Sequence, residues 1–270
     1  MKTILKTERL NKVYQLGNFP RNVKVNALND VNLSIESDEP VIISVVGESG
    51  SGKTTLAKVI LRLVEPTSGQ VMIQDRVIVS EKGRMKPTKT EFLSTVQPIF
   101  QNPFEAFSRY RTVDSYLYET ATRVKQLGKV EAITTIEEAL ASVGLEYKDV
   151  KGKYPNQFSG GELQRVSIAR ALIPRPGIIV ADEPVSMIDA SRRMIIINQF
   201  LSLKQEYRTS ILYITHDLAT AYYISDYIAV MNRGSIVEFG KARQVLADPQ
   251  HSYTKLLLDS IPTTKKKWER

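Results

Sequence analysis

Gly47-Glu48-Ser49-Gly50-Ser51-Gly52-Lys53-Thr54 follows directly on the apolar run Val41-Ile42-Ile43-Ser44-Val45-Val46, and Leu56, Val59, Ile60 and Leu63 come after it at helical spacing. The octet matches G-x-x-x-x-G-K-[ST], and a strand before with a helix after is the context that pattern needs. Glycines let backbone N–H groups curl around phosphate oxygens, and the helix N-terminus adds positive potential. Lys53 can then reach the terminal phosphates, and the Thr54 hydroxyl can ligate Mg²⁺. A glycine-rich turn that only capped a helix would leave Lys53 and Thr54 unexplained at this spacing. The apolar run reads as a parallel strand covered on both faces. The helix is expected over residues 54–64, stopped by Glu65-Pro66 and Gly69.

Working outward, Ile178-Ile179-Val180-Ala181-Asp182-Glu183 is a second buried strand ending in two carboxylates. That arrangement suits Asp182 to hold Mg²⁺ and Glu183 to work near a γ-phosphate, as general base or as the group that positions the attacking water. Alone, an acidic pair at a strand end is ordinary; beside the phosphate loop it specifies a nucleoside triphosphatase. Helices over 161–172 and 192–207 and a third strand over 211–215 give the order αβαβ. Such alternation predicts a parallel sheet with right-handed crossovers and ligands at the C-terminal strand ends.

Residues 4–14 and 23–35 read as short strands around a polar turn at Gly17, Asn18 and Pro20, a small antiparallel β region. Residues 71–79 read as a strand or hairpin, and 81–90, with Gly83 and Pro87, as an exposed loop. Periodicity makes 113–126 and 129–143 helical, with Gly144 as a stop, so a helical insertion runs to about Phe158.

The 270 residues are 42% hydrophobic and 24% charged, which excludes a disordered chain. No apolar run reaches the roughly 20 residues of a membrane helix, and Lys2, Lys6, Glu8, Arg9 and Lys12 interrupt the N-terminus where a signal peptide would be apolar. The chain has no cysteine, hence no disulfide and no thiolate metal site, in keeping with a reducing cytoplasm. A net charge of +8 favours anionic partners. Only Lys265-Lys266-Lys267 forms a basic run, so a solvated basic surface is the simpler reading and nucleic acid is not expected as a partner.

Ser159-Gly160-Gly161-Glu162-Leu163-Gln164-Arg165 opens a helix. Ser159 and Glu162 fit a capping box, but capping gives no reason for two consecutive glycines, which cost stability in a helix and serve where backbone must approach a ligand. The segment resembles the LSGGQ signature of the ATP-binding cassette family, with Phe158 and Glu162 replacing its first and last residues. The resemblance spans essentially the whole chain and implies ATP and Mg²⁺ as cofactors. It also implies an α/β fold with a RecA-like P-loop NTPase core over 1–95 and 160–240 that includes the small antiparallel β region. An inserted α-helical subdomain over 96–159 and a C-terminal extension over 241–270 complete the division. In that family the loop residues Gly47 to Thr54, with Thr55, hold the phosphates. Gln101 resembles the glutamine that contacts Mg²⁺ and the attacking water. His216 resembles the switch histidine that senses the γ-phosphate, and Asp189, in Ser186-Met187-Ile188-Asp189, the aspartate of the loop that crosses the dimer interface. Tyr14 stands where the family stacks an aromatic ring on adenine; the alternative is packing against the adjacent β region.

The resemblance further implies that Ser159, Gly160, Gly161 and Glu162 complete the site of a second subunit in a head-to-tail dimer. The sequences Tyr154-Pro155-Asn156-Gln157-Phe158 and His251-Ser252-Tyr253-Thr254-Lys255-Leu256-Leu257 look like the oligopeptide and dipeptide import branch, which also imports nickel and oligosaccharides. Its ATPases usually pair as two paralogues on two membrane permease subunits, fed by a solute-binding protein, at the cytoplasmic face of the membrane. The cysteines that hold an iron–sulfur cluster in some members are missing, so none is expected. The alternative is a soluble cassette ATPase in repair, translation or complex assembly. The long coiled coils of repair ATPases and the tandem cassettes of translation factors are not present.

Overall fold

The computed structural model describes residues 2–16, 23–80 and 87–260. The turn expected at Gly17, Asn18 and Pro20, Gly83 of the expected loop and the run Lys265 to Lys267 lie outside those residues. β1 (Lys2–Leu16) pairs antiparallel with β2 (Val23–Ser37), setting Leu5 opposite Ile35 and Tyr14 opposite Val25. β3 (Ile42–Val46) is buried at every residue and leads through the glycine loop into α1 (Lys53–Ile60). β4 (Ser68–Ile73) and β5 (Arg76–Ser80) extend the antiparallel sheet in the order β2-β1-β4-β5.

After α2 (Lys89–Thr95) comes β6 (Val96–Ile99), and then the helices α3 (Val113–Glu119), α4 (Lys129–Ala141), α5 (Tyr147–Val150) and α6 (Gly160–Leu172). The chain returns through β7 (Ile178–Asp182), α7 (Ala190–Glu206), β8 (Ser210–Ile214), α8 (Leu218–Ile224), β9 (Tyr227–Asn232) and β10 (Ser235–Lys241). It then forms α9 (Ala242–Ala247) and α10 (Ser252–Asp259). Among the described residues the second sheet runs β10-β9-β3-β8-β7-β6, parallel at every junction except β9 with β10.

Both faces of this sheet are covered, as the unbroken apolar strands require. On β8, Ile211 and Tyr213 enter the core shared with α4, α6 and α7, while Leu212 and Ile214 enter the opposite core with α1 and the antiparallel sheet. A third cluster joins Val46 at the end of β3 to Leu218 and Ala221 of α8 and to residues of α9 and α10. The two-residue period of side-chain direction along a strand is thus what assigns each helix to its face.

Four expectations change. α1 ends at Ile60 rather than residue 64, because Leu61 caps it and Arg62 turns to φ 58°. The loop expected over 81–90 gives way at Lys89 to α2, where Thr88 and Glu91 form a capping box with the Thr88 N–H donating to Glu91 Oε2 at 2.8 Å. Val96–Ile99, placed by sequence at the start of the helical insertion, pairs in parallel with β7 and so belongs to the central sheet. A strand of four residues is too short to show periodicity, and Pro98 argued against it. The helix expected over 113–126 changes at Thr120 into a π-helical turn reaching Val124. Patterning assigned nothing between Asp217 and Gln250, where α8, β9, β10 and α9 lie.

Phe200 of α7 is fully buried with its ring edge-on to Tyr213 of β8, centroids 5.5 Å apart. Truncating it leaves a cavity in the core between α7 and the sheet. Phe200→Ala is expected to lower unfolding free energy by about 3–5 kcal/mol in urea denaturation.

Candidate active site

The phosphate loop leaves β3 at Gly47, whose φ is 151°, and enters α1 through Gly52 at φ 107°. Glycine is needed at both ends for room as well as for backbone angle. A Cβ at Gly47 would lie 2.2 Å from the carbonyl oxygen of Met231 on β9, and one at Gly52 2.5 Å from that of Ala27 on β2. Glu48, Ser49 and Gly50 are exposed, whereas the Ser51 Oγ is buried without a hydrogen-bond partner. That hydroxyl is a donor available to a phosphate oxygen, since buried polar groups are otherwise paired.

Lys53 is 5% exposed, and its Nζ donates to the carbonyls of Gly47 at 2.7 Å and Glu48 at 2.8 Å. Burial lowers its affinity for a proton, and the carboxylates of Glu183, Asp182 and Glu48 counter that fall. Thr54 Oγ1 donates to Asp182 Oδ1 at 3.4 Å, joining the first turn of α1 to the end of β7; Thr55 beside it is half-buried. Burial also pushes the Asp182 carboxyl above the ordinary carboxylate range, against the Thr54 hydrogen bond. Thr54 and Asp182 offer hard oxygen donors of the kind Mg²⁺ takes. Among the described residues no cluster of three or more His, Asp or Glu could hold a metal unaided.

Glu183 follows β7 at φ 44°, an uncommon angle for a side chain of its kind. Its N–H donates to the Ile214 carbonyl at 2.9 Å and its own carbonyl accepts the Ser186 hydroxyl at 3.0 Å, so the turn is gripped at both ends. Gln101 Nε2 donates to Glu183 Oε2 at 3.3 Å, and His216 Nδ1 lies 3.1 Å from Glu183 Oε1. These three residues follow β6, β7 and β8, which are neighbours in the sheet, so parallel pairing alone brings them to one edge. Six residues chosen from sequence, Lys53, Thr54, Asp182, Glu183, Gln101 and His216, therefore form one constellation at the C-terminal strand ends.

The remaining choices stand apart from it. Ser159 accepts from the Glu162 N–H at 3.3 Å, and its own N–H and hydroxyl donate to Glu162 Oε2 at 2.8 and 2.7 Å, a complete capping box. These hydrogen bonds hold the Glu162 carboxyl below its ordinary range. A Cβ on Gly161 would meet nothing within 4 Å, and one on Gly160 would meet only the Met187 carbonyl oxygen at 3.9 Å. The fold has no steric use for either glycine. Asp189 is the exposed N-cap of α7 and makes no capping hydrogen bond. The Tyr14 ring, half-buried on β1, lies under the Lys12 ammonium at 5.0 Å. Sequence reasoning missed Tyr253, whose hydroxyl accepts the Glu48 N–H at 3.0 Å from a helix 205 positions later. Nothing in the local pattern around Tyr253 signals that contact.

Residues 28–186 match the family model described as ABC transporter, over half of the chain, and residues 237–270 match that of the oligopeptide/dipeptide transporter, C-terminal region. The chain belongs to the ABC transporter family. Two curated relatives cover it almost fully. The di/tripeptide transport ATP-binding protein DppF of Pseudomonas aeruginosa is 34% identical, over 97% of this chain and 80% of the relative. The oligopeptide transport ATP-binding protein AppF of Bacillus subtilis is 36% identical, over 98% of this chain and 80% of the relative. A solved ATP-binding cassette, dimeric, post-hydrolysis and bound to ADP and Pi, superposes with TM-score 0.76 at 27% identity, covering 89% of this chain and 99% of its own. As a cassette of this family the chain binds and hydrolyses ATP. Among the described residues no helix is long and apolar enough to cross a membrane.

Because burial raises the Asp182 carboxyl, the folded cassette keeps that proton at a pH where the unfolded chain has lost it. The ionised group thus costs stability at neutral pH, and the cost fades as pH falls through the raised value into the ordinary carboxyl range. Asp182→Asn is expected to raise the thermal midpoint of the nucleotide-free cassette at neutral pH, with the gain disappearing in acid, as differential scanning fluorimetry across pH would record.

Proposed function

We propose that this cassette is the ATP-hydrolysing subunit of a peptide importer, working as a head-to-tail dimer at the cytoplasmic face of the membrane. The observation that carries its chemistry is the Glu183 carboxylate, held between Gln101 and His216 beside Lys53, Thr54 and Asp182. Phosphoryl transfer to water needs an oriented in-line nucleophile and stabilisation of charge on the γ-phosphate more than covalent chemistry. Glu183 accepts a proton or hydrogen bond from the attacking water, and its neighbours fix the carboxylate's direction. Lys53 leaves the Gly47 and Glu48 carbonyls for the phosphate oxygens, an exchange that offsets the cost of its burial. Thr54 and Asp182, with Gln101 nearby, would hold Mg²⁺, which would supply neutralisation of phosphate charge. Tyr14 stacks on adenine.

The signature's geometry supports a second subunit. Gly160 and Gly161 open α6 with no neighbour in their own chain that demands glycine, which leaves room for backbone to approach a ligand. In the dimer they, with Ser159, Glu162 and Asp189, close over the nucleotide of the partner cassette. The partner is a paralogue or a second copy. Two permease subunits dock against the helical insertion near Gln101 and Arg109, and a solute-binding protein delivers the peptide. The relatives' names, both for peptide transport, support the solute class and argue against a soluble cassette acting in repair, translation or complex assembly.

Two measurements test this reading. Glu183→Gln is expected to cut phosphate release at least about 100-fold while ATP still binds and drives a dimer seen by light scattering. Gly161→Ala, which adds a methyl group into open space and removes a residue unfavourable to helices, is expected to leave the thermal midpoint unchanged or raised yet to reduce ATPase activity at least about tenfold. Equal activity in the glycine variant would remove the ligand-approach role from the signature.

A further inference from the structure

The C-terminal helix α10 reaches the phosphate loop from the side away from Lys53. The Tyr253 hydroxyl accepts the Glu48 N–H at 3.0 Å, and Lys53 Nζ donates to the Gly47 carbonyl at 2.7 Å. That N–H and that carbonyl belong to one peptide unit, and in a planar trans amide they point in opposite directions. The first peptide of the loop is thus clasped at both ends, by the lysine that will bind phosphate and by a tyrosine from the C-terminal extension.

The tyrosine is itself firmly placed. The N–H groups of Gln250 and His251 donate to the two carboxylate oxygens of Glu238 on β10 at 2.8 and 3.0 Å. The Tyr253 N–H donates to His251 Nδ1 at 3.1 Å, capping α10. Its ring packs on the apolar cluster that Val46, the residue before the loop, shares with residues of α8, β9 and α9. One side chain therefore bonds to the loop's own backbone and packs on the cluster that contains the residue launching the loop.

We propose that Tyr253 is a positioning residue for the phosphate loop, fixing the Gly47–Glu48 peptide so that the amides after it face the phosphates. The proposal rests on the ATPase reading and gives α10 a part in nucleotide binding. Glu48 is exposed, so water replaces the hydroxyl when it is removed, but without fixing the direction of the N–H. What is lost is preorganisation, which weakens binding without displacing any ligand contact. The clasped peptide lies in the cradle that serves phosphates common to ATP and ADP, so both nucleotides lose affinity together.

The test uses the full chain with Tyr253→Phe, which deletes the hydroxyl and keeps the ring. ATP and ADP are titrated calorimetrically, ATP on a Glu183→Gln background to prevent turnover. Both dissociation constants are expected to rise about threefold to tenfold, the range of one net hydrogen bond, with the thermal midpoint unchanged. In the cassette with Glu183 intact, the KM for ATP should rise by more than kcat falls. Dissociation constants equal to those of the parent chain would overturn the proposal. So would weaker binding accompanied by a lowered thermal midpoint, which would make the tyrosine merely structural. Failure of the parent chain to bind either nucleotide would instead sink the ATPase reading itself.

Discussion

A side chain at Gly47 would drive its first carbon to 2.2 Å from the Met231 carbonyl oxygen, so the turn out of β3 exists only because that residue has none. The same limit recurs at Gly52 against Ala27. Between these two contacts the loop is wedged against the end of β9 and against β2 of the antiparallel sheet. The Gly234 N–H donates to the Ser51 carbonyl at 2.9 Å, and the Asn29 N–H to the Gly234 carbonyl at 2.9 Å, closing the gap between the two sheets. With the loop fixed in this way, its amides and Lys53 are aimed before any ligand arrives, and the rest of the site is built around that aim.

Charge is arranged at a cost that substrate binding relieves. Lys53 and Asp182 are both taken largely out of water, and burial moves each toward its neutral form. Neither forms a full ion pair with the other. The lysine rests on backbone carbonyls and the aspartate on a hydroxyl, partners that a phosphate and a cation can replace. Such a pocket is less stable than a paired one and better prepared for an anion bound with its metal, a trade commonly met at functional sites.

The signature shows the converse logic. Its glycines answer to no crowding within the chain, and Ser159 and Glu162 satisfy each other in a capping box. Packing within the chain gives no reason for two helix-weakening residues there. The proposed dimer gives that surface a second subunit to face.

The phosphate loop, the carboxylate pair, the signature motif and the alternation that makes a parallel sheet could be read from the residues alone, because each is a local pattern whose chemistry sets spacing within a few residues. Lys53, Thr54, Asp182 and Glu183 were legible for that reason. Gln101 and His216 became legible only through the family resemblance, since a lone amide or imidazole carries no spacing of its own. The folded chain adds the relations between distant segments. It recruited the short strand β6 to the sheet edge, which sets Gln101 beside Glu183. It brought Met231 and Ala27 against glycines far away in sequence, and it laid Tyr253 on Glu48. These contacts join residues separated by many turns of chain, and no local periodicity encodes them; they exist because burying both faces of one sheet leaves each helix and strand end a single place to go.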